Sequence, residues 1–153
     1  LGDITKITKE QLNELKDNIA ISIRESFGKQ RMLASLGAKM THLSLGHVEI
    51  EAPISNAVLN QHNSAHAGLG FTIGDTAGGY AALSYHKAGT NVLTIEYKVN
   101  YLEPGIGQCL RAVGRVIRPG GRISVVATDV FAIDGDTEKK IAVMQGTMMV
   151  LKP

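Results

Sequence analysis

Residues 60–86 read NQHNSAHAGLGFTIGDTAGGYAALSYH, and Asp75 is the sole carboxylate among them. An isolated acid among apolar and small residues is either held by dedicated partners or kept for chemistry. A carboxylate of that kind can take a proton from water or attack a carbonyl carbon itself. Just upstream, amide, hydroxyl and imidazole groups gather: Asn60, Gln61, His62, Asn63, Ser64 and His66.

Other chemistries fit these residues less well. His62 and His66 form an H-x3-H pair that could hold zinc with Asp75. Position 63 is Asn, so the glutamate of a zinc-protease helix is missing. Ser64 lacks the G-x-S-x-G context of a nucleophile elbow. Gly68-Leu69-Gly70 does not continue into a dinucleotide-binding fingerprint. No metal is expected.

The second half of the stretch must position Asp75. It has no proline and is rich in alanine, leucine and tyrosine, which predicts a helix. It also carries Gly68, Gly70, Gly74, Gly78 and Gly79. Each interior glycine costs a helix roughly 1 kcal/mol against alanine. A solvent-exposed helix would not survive five of them. The sequence therefore predicts a buried helix, wrapped by sheet or by a second subunit, whose missing side chains let backbones come close.

The flanking elements follow from periodicity. Residues 8–28 place Leu12, Leu15, Ile19, Ile23 and Phe27 at three- and four-residue steps, with charged residues off that stripe. Thr8 and Gln11 have capping-box spacing, and Gly28 is a stop signal. This predicts an N-terminal helix with a core-facing stripe. Residues 40–51 alternate around Gly46, as a strand pair or one bent strand would. His42 and His47 in it read as ordinary strand histidines. From Thr90 the period is two. Val92, Thr94, Glu96, Lys98 and Asn100 fall on one side, and Leu93, Ile95, Tyr97, Val99 and Tyr101 on the other. Strands over 108–117, 122–133 and 139–151 follow, separated by turn residues. Four consecutive strands suggest an antiparallel meander. The whole is an α+β arrangement, one buried helix against a strongly curved antiparallel sheet.

Composition excludes several classes. At 153 residues, 44% hydrophobic and 20% charged, one globular domain over 1–153 is expected. No apolar run reaches the length of a membrane span, and LGDITKITKE has no leader core. A net charge of +2, with no tryptophan and 5% aromatics, argues against nucleic acid as a partner. The single cysteine, Cys109, reads as strand packing in a reducing compartment, so a cytoplasmic location is expected.

Asn60, His66 six residues later and Asp75 nine after that, followed by the phrase YKVNYLEPG, resemble the hotdog-fold thioesterases, in the phenylacetate-pathway branch of acyl-CoA thioesterases. The resemblance covers roughly residues 40–151. It implies a long central helix wrapped by five to six antiparallel strands, here with an extra N-terminal helix. It also implies hydrolysis of an acyl- or aryl-CoA thioester without a metal or separate cofactor, coenzyme A being part of the substrate. The family pattern runs His-Gly-Gly; this chain has Ala67 in the middle. Alanine keeps the backbone N–H that the position needs and adds a methyl group near the thioester.

On that resemblance, the Ala67 N–H would donate to the developing oxyanion at a helix N-terminus. His66 would shape the turn, and Asn60 would hold the water or the carbonyl. Asp75 would act as general base or as nucleophile, with Thr94 as the assisting hydroxyl. Nine helical residues turn about 900°, so His66 and Asp75 would face opposite sides if both were helical. A composite site between two chains removes that conflict, and the resemblance implies the same: a homodimer or dimer of dimers. Arg115, Arg118, Arg122, Lys139 and Lys140 form either a solvated rim or contacts to coenzyme A phosphates. A non-catalytic acyl-CoA binder and a hotdog hydratase or dehydratase are the alternatives.

Overall fold

The structure, a computed structural model, describes residues 9–151, with side chains from Asp17 onward. Helix α1 spans Lys9–Gly28 and α2 spans Arg31–Ser35. Strands β1 (Lys39–Ser44) and β2 (His47–Pro53) precede helix α3 (Ala67–Leu83). Strands β3 (Asn91–Tyr101), β4 (Cys109–Arg118), β5 (Ile123–Asp134) and β6 (Thr137–Leu151) complete the chain. Thr8 and the Leu12 and Leu15 side chains lie outside the described residues. Ile19 and Ile23 are buried and Phe27 packs on the same core, so the rest of the predicted stripe faces inward.

All six strands form one antiparallel sheet in the order β1-β2-β4-β5-β6-β3. This is the hotdog α+β fold. The strand pair around Gly46 is present, with that residue at φ +71° in the turn. The meander holds for β4, β5 and β6 only. β3 does not pair with β4; it crosses to the far edge and pairs with β6. The Pro104-Gly105 segment is thus no hairpin. Gly105 instead bridges to Ala65 at the entrance of α3, which holds that entrance against the sheet.

Helix α3 lies on the inner face of the sheet. Leu69, Ile73, Ala77 and Ala81 are buried with Val48, Ile50, Leu110, Ala112, Val130 and Met144. Two glycines make this closeness possible. A Cβ at Gly114 on β4 would collide with the backbone of Ala77 and Gly78, and one at Gly78 with the Tyr97 hydroxyl. Burial of apolar surface at roughly 25 cal/mol per Å² offsets the helical cost of glycine.

The predicted two-sided alternation of β3 breaks in the middle. Thr94 pairs with Met148 and Glu96 with Thr147, so Ile95 is an inserted bulge residue. Val92 and Thr94 face the helix before the bulge; Tyr97 and Val99 face the core after it. One extra residue thus lets two runs of opposite parity point the same way.

Candidate active site

Asp75 is half-buried on the β3 side of α3. The Thr94 hydroxyl donates to its Oδ1 at 2.7 Å. Burial holds the Asp75 carboxyl above the usual aspartate range, and the Thr94 hydrogen bond partly opposes that rise. Behind it, the buried Tyr97 hydroxyl lies 2.7 Å from Thr128 Oγ1, and Thr128 donates to the Gly74 carbonyl at 3.2 Å. The Tyr97 hydroxyl therefore donates to Thr128. Burial drives its pKa far up, and the Asp75 charge adds to the rise. The phenol stays neutral and props the helix from below.

Asp75 and Thr94 line a cleft of about 210 Å³ with Ser26, Gln30, Gly79 and Tyr80. A second cleft of about 550 Å³ opens at the start of α3, lined by Asn60, His66, Ala67, Tyr101, Ile106 and others. The sequence separation between His66 and Asp75 is thus a separation in space. Ala67 and Asp75 stand eight residues apart on one helix, about 12 Å at 1.5 Å per residue.

The entrance is a built loop. Asn60 Oδ1 accepts from the N–H of His62 at 2.9 Å and of Ser64 at 3.3 Å, and Asn60 Nδ2 donates to Ser64 Oγ at 2.9 Å. Asn63 takes φ +59°, a left-handed turn that asparagine tolerates. Asn60 is therefore engaged in shaping its own loop. His66 is the N-cap of α3, its Nδ1 accepting from the Gly68 N–H at 2.9 Å. An accepting Nδ1 puts the hydrogen of the neutral ring on Nε2. The Ala67 N–H has no partner among the described residues, as expected at a first helical position.

Of the predicted set, the structure joins Asp75 with Thr94, and Asn60 with His66 and Ala67. It does not join the two groups within one chain. His62 lines the entrance cleft and Asp75 the other, so the alternative zinc set does not assemble. Residues the sequence reading missed are Tyr101, whose hydroxyl donates to the Ala67 carbonyl at 2.9 Å, and Ser26 and Gln30. Tyr101 sits in the YKVNYLEPG phrase; nothing local marks Ser26 or Gln30. Tyr80 lines the Asp75 cleft, whereas Phe71 packs edge-on against Tyr97. Arg115 and Lys140 pair with Asp129, and Lys139 pairs with Glu103. Cys109 is half-buried, and burial pushes its thiol up, with Glu51 adding and Arg111 opposing.

The thioesterase superfamily profile matches residues 62–139, just over half of the sequence, including His66, Ala67, Asp75 and Thr94. The chain belongs to the thioesterase superfamily. This superfamily member is 37% identical to a thioesterase family protein of Silicibacter pomeroyi, covering 88% of this chain and 99% of that one, with a TM-score of 0.86. It is 29% identical, over 89% of its own length and 95% of the other, to a Halobacterium salinarum protein whose name assigns it to the esterases without a stated substrate. Two more distant solved structures share the fold. The E. coli PaaI protein of the phenylacetic acid degradation operon is 21% identical, covering 90% of this chain and 96% of that one, TM-score 0.79. A Bacillus halodurans protein solved with coenzyme A is 23% identical, covering 97% and 95%, TM-score 0.70. The fold of this superfamily member is PaaI-like. Among the described residues, no helix is long and apolar enough to cross a membrane.

Proposed function

We propose that this chain hydrolyses an acyl- or aryl-CoA thioester to the free acid and coenzyme A. The observation that carries the reading is Asp75: a half-buried carboxylate with a raised pKa, oriented by Thr94. In the general-base route, Asp75 takes a proton from water as the water oxygen attacks the thioester carbon. The Ala67 N–H stabilises the oxyanion; such a donor is typically worth roughly 3–4 kcal/mol. Collapse expels the thiolate, which takes up a proton. In the nucleophilic route, Asp75 attacks first, releases the thiolate, and water cleaves the resulting anhydride.

Both routes need a second copy of the chain. The water and the oxyanion of one thioester lie a few ångströms apart, against about 12 Å of helix between Ala67 and Asp75. The partner's helix entrance facing Asp75 supplies the missing donor, giving two composite sites per dimer. The exposed edge strand β3 supports this assembly, with Leu93 52% and Ile95 53% exposed, as does Ile106, 67% exposed beside the entrance cleft. Coenzyme A bound to the Bacillus halodurans relative supports the choice of thioester. A chain with one cysteine suits the reducing cytoplasm.

The test is thiol release from a panel of acyl-CoAs, with Asp75→Ala as control. Release that Asp75→Ala abolishes supports the assignment; unchanged release in that variant removes it. Binding without release favours an acyl-CoA sensor, and water addition to an enoyl-CoA favours a hydratase. Heavy oxygen in Asp75 after a single turnover in labelled water marks the nucleophilic route, in which water attacks the Asp75 carbonyl of the anhydride.

A further inference from the structure

The glycines of α3 are not alike. At Gly74 a Cβ would press into the Met144 sulfur, at Gly78 into the Tyr97 hydroxyl, and at Gly68 it would sit 3.0 Å from the His66 ring. At Gly70 it would make ordinary contacts of 3.6 and 3.7 Å inside the core. At Gly79 it would meet only Val92 Cγ2, at 3.9 Å. Nor does Gly79 adopt a positive φ. Packing and backbone both permit alanine there, and alanine would strengthen the helix. Gly79 instead opens onto the Asp75 cleft, one helical turn after Asp75 itself.

That cleft is a built pocket. Its far wall comes from the end of α1 and the residues after it. Gln30 Nε2 donates to the Tyr80 hydroxyl at 2.8 Å, and Ser26 Oγ lies 3.0 Å from the same oxygen. Tyr80 is 7% exposed. With Gln30 donating, one bond joins the two hydroxyls and uses one hydrogen; the other hydroxyl hydrogen has no partner among the described residues. At about 210 Å³ the space is below the roughly 300–1,000 Å³ of clefts that take drug-sized ligands.

We infer that Gly79 is the residue that sets acyl size: its missing side chain is the space in which a compact acyl group lies beside Asp75. The inference rests on the reading of Asp75 as the residue that serves the thioester. The acyl class is a short chain or a single ring, with room for a polar atom at its tip against Tyr80 and Ser26. In the part of the site that this chain supplies around Asp75, a long alkyl chain finds neither the length nor the apolar walls.

The experiment compares the wild-type chain with Gly79→Ala and Gly79→Val. Thiol release is measured on acetyl-, butanoyl-, benzoyl- and octanoyl-CoA. Binding of the matching non-hydrolysable thioethers is measured by calorimetry. The ratio of kcat/KM for benzoyl over acetyl should fall about tenfold or more, further for Val than for Ala, since one methyl group in a pocket discriminates by roughly 10- to 200-fold. Thioether affinities should fall in the same order, and Gly79→Ala should melt above wild type. If Gly79→Val fails to fold, Gly79→Ala decides. Parallel profiles in all three proteins overturn the inference and leave the thioesterase reading standing. A wild-type chain that binds the thioethers size-selectively through Gly79 but releases no thiol leaves the inference standing and overturns the reaction. A wild-type chain that does neither overturns both.

Discussion

Thr94 Oγ1 donates to Asp75 Oδ1 across 2.7 Å, from the last residue of β3 before its bulge to the centre of α3. The bond favours the charged carboxylate, while burial favours the neutral acid, and burial prevails. This opposition makes the site's protonation adjustable by a single hydroxyl.

Thr94→Val should therefore move the acid limb of kcat/KM to higher pH. Without the hydroxyl, burial acts unopposed and the Asp75 pKa rises further. A base works only when deprotonated, so activity appears later as pH increases. A pH–rate profile in which the limb stays in place would exclude the coupling.

Asp75→Asn should abolish turnover and raise Tm at pH values above the folded pKa of Asp75. The folded pKa of Asp75 lies above its unfolded value, so the native state holds the extra proton between the two. Stability then falls as pH rises through that window, and the full cost is present above the folded pKa. The gain from Asn should shrink as pH drops through that window and vanish below the unfolded value. Melting curves from acid to neutral pH read this directly.

Gly78→Ala should destabilise the fold by about 1–3 kcal/mol, the usual range for overpacking. The added methyl would collide with the Tyr97 hydroxyl and sit 3.1 Å from Val126 Cγ2. Removing that hydroxyl makes room, so the same substitution should cost less in a Tyr97→Phe background. Denaturant unfolding of the four proteins in the cycle measures the coupling; additivity would place the strain elsewhere.

Tyr101→Phe should lower kcat by about two- to tenfold with little change in Tm. The lost hydrogen bond to the Ala67 carbonyl is worth roughly 0.5–1.5 kcal/mol and fixes the residue whose N–H is assigned to the oxyanion. Tyr101 is a positioning residue, so KM should move less than kcat. Equal losses in both would point to substrate contact instead.

Much of this was legible in the chain. Five glycines around one acid called for a buried helix, and Gly114 and Gly78 show the close backbone approach that allows it. Tertiary order was not legible. Alternation in residues 91–101 reports faces, not neighbours, so the pairing of β3 with β6 rather than β4 left no local mark. The bulge at Ile95 was equally silent, because a β-branched residue sits as well in a bulge as in a ladder. Ser26 and Gln30 reach Tyr80 from some fifty positions away, through space alone.

The seating of Gly114 against the Ala77–Gly78 peptide has a mechanical consequence. A helix whose backbone rests directly on a strand can neither slide nor roll without lifting off. The acid and the amide on α3 are therefore marks on a fixed gauge. Any adjustment to a different substrate must come from the loops and from how two copies meet, with the gauge itself unchanged.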